Sequence, residues 1–497
     1  MGSLAFNWIG LLAAVGWLLS GFYAVEFAEN KASRGHIPAK LFPYLTLLSL
    51  FFGPAVLLLL YVNQVCSAGF AKWFKELKER RERVNITILD ARGQEMYGSE
   101  SSGDQAMSAA IHELKKILYQ AVHLHASDIF IDPKGAGAIT VRMRIDGALR
   151  PSGELFQPLG DNLTNVIKVV SGMDITEKRR PQDGSFSIDS DIGSASLRVA
   201  SVGAFGGEKI TLRVLGSSAG PMTLEEIGLR GDYLRFMQDA VRIPSGMVIV
   251  CGPTGSGKTT TLYALLNAID YRMKNVISIE DPIEHVIPNV SQMEVNEKAD
   301  ITFSKLLRNS LRQNPDIICV GEIRDEETAE VAVHAAQTGH LIIATVHSSD
   351  NVGTIDRLVN LRVPLRSVAG VLQMIVSQRL VRKLCDCSVP DKPTPELVEY
   401  LRQAGLPVDG LRKPCGCKKC GGTGYSGRMA IFDIMVMTNS LREIFEKEQT
   451  TMATVKIELE KEHGSSTMAY EGYKLAAAGL TSIEEIERVT FDMEHSF

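Results

Sequence analysis

Residues 246–266 read GMVIVCGPTGSGKTTTLYALL. Gly246 to Cys251 is an apolar run of the length of one buried strand, Gly252 to Thr259 fits the pattern G-x-x-x-x-G-K-T, and the residues after it have the pattern of an amphipathic helix. Strand, glycine-rich loop and helix in that order make a phosphate-binding turn. Gly252, Gly255 and Gly257 free the backbone to converge its N–H groups on a β-phosphate at a helix N-terminus, with Pro253, Thr254 and Ser256 completing the loop. Lys258 is expected to pair with the β- and γ-phosphates, the Thr259 hydroxyl to ligate Mg²⁺, and Thr260 to lie beside them.

Three further apolar runs follow and each ends in polar residues: VISIEDPIE (276–284), IICVGEIRD (317–325) and LIIATVHSS (341–349). From Leu224 such runs alternate with helical patterns, which predicts an α/β domain whose parallel sheet is covered on both faces. Ligands of such sheets bind outside the carboxyl ends of the strands, so these ends are expected to face the nucleotide. Glu322 is expected to orient an attacking water or help hold the metal. Glu280, with Glu284, forms a second acidic pair able to activate water, and His347 is placed to sense or stabilise the γ-phosphate. The plain alternatives are that Asp281 or Glu284 caps a turn and that Arg324 and Asp325 form a structural ion pair.

Upstream, residues 106–125 carry Ile111, Leu114, Ile117, Leu118, Ala121 and Val122 at helical spacing, and short alternating runs continue to Leu215. This predicts a small α+β domain over 106–216, separated from the motor domain (223–440) by GSSAGPM and from the preceding chain by a Gly/Ser-rich linker at 98–103. The strand-like piece 84–90 then belongs to a juxtamembrane segment, 71–105. Residues 441–497 read as a helical tail.

Residues 4–25 and 41–62 hold no charge and match the ~20 apolar residues that cross a bilayer, predicting a transmembrane hairpin over 1–70. Lys72, Lys75, Lys78, Arg80, Arg81 and Arg83 outnumber Lys31, Arg34 and Lys40 of the connecting loop, so both termini are expected in the cytoplasm, beneath the inner membrane. Across the 497 residues, 53 Lys and Arg face 58 Asp and Glu. That balance gives no global basic field, and no direct nucleic-acid partner is expected. Cys66, Cys251 and Cys319 stand alone in apolar stretches, whereas Cys385, Cys387, Cys415, Cys417 and Cys420 cluster as metal ligands do in a reducing compartment.

Residues 106 to about 497 resemble the hexameric secretion ATPases that power type II secretion and type IV pilus assembly. The resemblance runs through ASDIFIDP (126–133), VRMRIDG (141–147), RRPQDG (179–184), the P-loop, EDPIE, LRQNPDIICVGEIRDEETA, TGHLIIATVHS and QRLVRKLC (378–385). It implies a RecA-like motor domain preceded by a PAS-like α+β domain, ATP and Mg²⁺ as ligands, a homo-hexamer, and an inner-membrane platform protein as partner. It also implies that Arg179, Arg198 and Arg213 reach a nucleotide held mainly by the motor domain across a subunit boundary, a task that suits the permanent charge and forked donors of arginine. Zn²⁺ is implied at Cys385, Cys387, Cys417 and Cys420, with Cys415 spare and a metal-free loop as the alternative. The chain departs from the family pattern at Ser185, where an arginine is usual, in the HSSD after the histidine box, and in the short Cys385-x-Cys387 spacing.

The leading reading is an assembly or secretion motor. The pilus-retraction branch, a DNA-uptake or conjugation motor and a non-hydrolysing nucleotide-binding scaffold are the alternatives.

Overall fold

The computed structural model describes residues 86–490 apart from 91–92, 97–104, 136, 217–221, 448–449 and 464–467. The expected transmembrane hairpin lies outside the described residues; among those described, no helix is long and apolar enough to cross a membrane.

The N-terminal domain is an eight-stranded sheet of β1 (Ile86–Leu89), β2 (Glu95–Met96), β3 (Ala126–Lys134), β4 (Ala138–Ile145), β5 (Ala148–Phe156), β6 (Gln182–Ser190), β7 (Ala195–Ala204) and β8 (Gly207–Leu215), in the order β2-β1-β6-β7-β8-β3-β4-β5. Neighbouring strands are antiparallel. One face is polar, as the alternation in β7 shows: Ala195, Leu197 and Val199 are buried while Ser196, Arg198 and Ala200 are exposed. Helices Gln105–His123 and Leu159–Val170 cover the other face, and the six apolar residues read at helical spacing in the first are all buried. The sequence reading placed residues 84–90 in a segment preceding this domain. Instead β1 pairs along its whole length with β6, so the domain begins before the Gly/Ser-rich stretch. Four residues cannot specify their partner by composition; burial of Ile86 and Ile88 against the domain core decides it.

The motor domain has a seven-stranded sheet made of β9 (Gly246–Cys251), β10 (Val276–Glu280), β11 (Ser291–Glu294), β12 (Ile317–Val320), β13 (Leu341–Val346), β14 (Leu372–Leu384) and β17 (Tyr425–Val436). Its order is β11-β10-β12-β13-β9-β14-β17, with only β17 antiparallel. Every residue of β9, β10, β12 and β13 is buried, the reason these strands read as largely apolar runs. Between β14 and β17 the chain makes the cysteine-bearing excursion, with helix Pro395–Gln403 and the short pair β15 (Val389–Pro390) and β16 (Arg412–Lys413). The tail returns to the motor domain: Glu485 of helix Ile483–Thr490 is fully buried and accepts from Arg382 of β14 at 2.7 Å.

Candidate active site

The P-loop is shaped by three glycines in backbone conformations that side chains disfavour, with φ of 150° at Gly252, 78° at Gly255 and 89° at Gly257. Gly252 and Gly257 are also sterically required: a Cβ on the first would stand 2.5 Å from the Gln378 carbonyl oxygen, and on the second 2.8 Å from Gln378 Nε2. A Cβ on Gly255 would meet open space, which leaves that side of the loop accessible. Helix Lys258–Asn267 starts on Gly257 with no side-chain cap, so its first N–H groups remain for an anion. Ser256 Oγ is buried without a partner beside them. This cradle fits a nucleotide phosphate chain. Thr259 is partly accessible in the first turn, and Thr260 is exposed.

Lys258 folds back on its own loop, donating to the carbonyls of Gly252 (2.9 Å) and Pro253 (3.1 Å) and facing His347 Nδ1 at 3.3 Å. An ammonium can only donate, so Nδ1 accepts and the imidazole proton sits on Nε2, 3.2 Å from Glu322 Oε1. Glu322 Oε2 pairs with Arg324 Nε at 2.8 Å, and Arg324 Nη1 stands 3.7 Å from Asp281. The line Asp281, Arg324, Glu322, His347, Lys258 thus crosses the carboxyl ends of β10, β12, β13 and β9, four neighbours in the sheet. Burial lowers the pKa of Lys258, with Glu322 opposing. Burial and then the Lys258 charge lower that of His347. Both effects follow from packing two nitrogen bases together out of water.

The alternative of a structural ion pair between Arg324 and Asp325 is not what forms: Arg324 pairs with Glu322 and Asp281. Asp325 caps helix Glu326–Gln337 by accepting from Thr328 N at 2.8 Å. The HSSD departure is likewise a helix start: Asp350 accepts from Gly353 N at 2.7 Å, and Ser348 bonds Thr354 Oγ1 at 2.5 Å.

Glu280 takes a different place from the one expected. It is 4% exposed, and its carboxylate receives Tyr263 Oη (2.5 Å), Ser278 Oγ (2.6 Å) and Gln292 Nε2 (3.0 Å). With three protein donors on its two oxygens it braces the P-loop helix against the end of β10. Tyr263 itself accepts from the backbone N–H groups of Glu284 (3.2 Å) and His285 (3.1 Å). Gln378 acts similarly on the loop, donating to the Ser256 carbonyl (2.8 Å) and accepting from Thr261 Oγ1 (2.7 Å). Neither Tyr263 nor Gln378 was singled out as a site residue from sequence. Position i+5 after Lys258 was the only signal for the first, and QRLVRKLC carried the second without indicating its contact.

The three arginines are not brought together. Arg198 and Arg213 are cross-strand partners on the exposed face of the N-terminal sheet, in one row with Ser185 on one side and Asp128 on the other. Arg213 Nε reaches Asp128 at 3.3 Å. Two like charges side by side on a sheet are unfavourable, and Asp128 offsets this on the Arg213 side. Their positive charge bears on Glu284 of this same chain, whose pKa burial raises and these arginines lower. Arg179 instead packs its backbone on Gly203, near the end of β7, and is remote along the strand from Arg198.

Residues 103–488 match the family described as Type II/IV secretion system protein. The chain belongs to that family. It is 39% identical over 383 residues to the type II secretion system protein HxcR of Pseudomonas aeruginosa, covering 77% of each chain. It is 36% identical over 435 residues to type II secretion system protein E of the same organism, covering 86% of this chain and 85% of that one. The type IV pilus assembly ATPase PilB of Thermus thermophilus is 38% identical over 382 residues, 76% of this chain but 43% of that protein. Among solved structures, the pilus retraction motor PilT with bound ADP superposes with a TM-score of 0.52 at 27% identity, covering 76% of this chain and 97% of that one.

The cysteine excursion of this family member brings Cys385, Cys387, Cys417 and Cys420 together, their sulfurs all within 4.8 Å. Three of the separations are 3.8–3.9 Å, against ~3.8 Å between the thiolates of a tetrahedral zinc site with Zn–S of about 2.3 Å. Cys420 Sγ also receives the N–H groups of Cys417 (3.1 Å) and Gly424 (3.2 Å), donors that stabilise a thiolate. The donor set fits zinc despite the one-residue gap. Cys415 is exposed and outside the cluster.

Proposed function

We propose that the chain is an ATP-hydrolysing motor that drives type IV pilus assembly or type II protein secretion, working as a homo-hexamer beneath the cytoplasmic membrane. The observation that carries this reading is the charged line from Asp281 to Lys258 across four strand ends, at the mouth of a P-loop cradle. Lys258 would exchange its loop carbonyls for phosphate oxygens. Once Lys258 turns away, His347 Nδ1 is free, and Glu322 keeps a carboxylate oriented from two sides to hold an attacking water. Thr259 would hold Mg²⁺, which neutralises charge on the β- and γ-phosphate oxygens when bound. The Arg198–Arg213 pair would meet the phosphates from the N-terminal domain, leaving Ser185 without a direct charge contribution. The four cysteines would hold Zn²⁺ to fold the excursion, outside the hydrolytic step.

The apolar segments 4–25 and 41–62 support anchoring of the motor to the inner membrane by a hairpin of its own, beside a polytopic platform protein. The relatives named for type II secretion and type IV pilus assembly support the choice of cargo class.

Phosphate release by the full chain, Lys258→Ala and Glu322→Gln tests the enzyme reading. Loss in both variants is expected, with nucleotide binding retained in Glu322→Gln; equal release from all three overturns it. Deleting residues 1–70 tests the anchor. A truncated chain that still sediments with membranes, in cells lacking other secretion machinery, removes the hairpin's role.

A further inference from the structure

The cysteine excursion touches more than its own domain. Arg150, on β5 of the N-terminal sheet, donates through Nη1 to the carbonyl of Cys420 and through Nη2 to Thr423 Oγ1, both at 3.2 Å. Thr423 Oγ1 donates to that same carbonyl at 2.9 Å. At the tip of the β4–β5 hairpin, Asp146 Oδ2 accepts from Gly427 N at 3.1 Å. Asp146 and Gly147 have φ of 51° and 79°, an Asp-Gly two-residue turn of the kind that holds a hairpin rigid. A Cβ on Gly421 would stand 3.2 Å from Arg150 Nη1, so the guanidinium lies close against the cysteine turn. Arg150 Nε is buried and has no partner. A guanidinium gives up water at a cost, and here the return is a pair of hydrogen bonds to one short turn.

That turn carries two of the four sulfur ligands. Its carbonyl and hydroxyl are aimed at Arg150 only while Cys417 and Cys420 are held in their present geometry, and without a cation the four sulfurs take up protons and lose the shared centre that fixes the turn. We propose that the tetracysteine turn is the seat on which the N-terminal domain docks, with Arg150 and Asp146 as its contacts, and that metal loading of the four cysteines sets whether the domain is docked.

The consequence reaches the nucleotide site through the sheet. In the order β8-β3-β4-β5, the latch on β5 lies three strands from Arg213 on β8, about 14 Å across a stiff sheet. Arg150 is thus a positioning residue for the Arg198–Arg213 row. Only this last consequence rests on the proposed ATP site; docking itself does not.

The test uses the full chain in detergent, with zinc content measured alongside hydrogen exchange of peptides covering 144–150 and 416–427 and a fluorescence distance between dyes on the two domains. Wild type is expected to hold one zinc per chain. Chelation should raise exchange about tenfold at 144–150 as well as at the cysteine turn, and lengthen the interdomain distance. Arg150→Ala should lengthen the distance with zinc content unchanged, a result a folding defect would not give, and Arg150→Lys should recover part of it. The proposal is overturned if chelation alters only the cysteine turn, if Arg150→Ala leaves the distance unchanged, or if wild type carries no metal. ATP binding by wild type, measured separately, distinguishes these failures from failure of the motor reading.

Discussion

The hydroxyl of Tyr263 lies 2.5 Å from Glu280 Oε2 and joins the P-loop helix to a strand three places away in the sheet. The Tyr263 hydroxyl oxygen also accepts two backbone N–H groups from the loop after that strand. Tyr263→Phe would leave those two donors and the buried Glu280 carboxylate short of a partner. A loss of about 1–3 kcal/mol is expected, read as a lower denaturant midpoint. An unchanged midpoint would mean the loop finds other partners.

Gln378 plays the corresponding part on the loop itself, bonding Ser256 and Thr261 while its own carbonyl excludes any side chain at position 252. Gln378→Leu keeps the volume and removes both bonds. ATP affinity should fall about tenfold, with the fold retained. Equal dissociation constants for variant and wild type would show that the glycines alone hold the cradle open.

Burial and then the Lys258 charge push the pKa of His347 below the ordinary imidazole range. The imidazole titrates at about 6.5 in the unfolded chain and lower in the folded one, so in between the unfolded state binds the extra proton. The stability held by the neutral ring is therefore complete above about 6.5 and declines as pH falls through that window. Urea midpoints at about pH 7.5 and 5.5 should diverge more in wild type than in His347→Gln; parallel declines would place the cause elsewhere.

Glu485 is fully buried. Burial pushes its pKa up, but hydrogen bonds from Arg488 and Arg382 override this and hold it at about 2. Its folded value is depressed, so its contribution is complete above about 4.3 and lost as pH falls toward that lower value. Glu485→Ala strands the largely buried Arg382 guanidinium, while Arg488 is exposed enough to turn to water, and should cost toward the low end of about 3–5 kcal/mol. Proteolysis should then begin in the tail helices; a tail as resistant as in wild type would argue that apolar packing of Ile483 and Ile486 holds it.

Much of the site was legible because its signals are local. Strand, loop and helix of the P-loop are contiguous, and the polar residues ending each apolar run must emerge on one edge of a parallel sheet. Where reading by position failed, the deciding contact lay far along the chain. Glu280 is the last residue of β10 and Tyr263 and Gln292 close over it, whereas Glu322 stands two residues beyond the end of β12. Arg179, Arg198 and Arg213 share motif positions, yet strand register joins only the last two.

The sequence by itself determined the α/β class, the phosphate cradle, the polar strand ends and a cysteine set, all of them consequences of periodicity and short spacing. The tertiary structure alone decided which strand ends meet and which carboxylate remains available. It also joined β1 to the domain and let Arg150 reach a turn 270 residues away. The physical reason is that side-chain period and glycine conformation are properties of neighbours in the chain. Burial, hydrogen-bond saturation and charge pairing belong to neighbours in space.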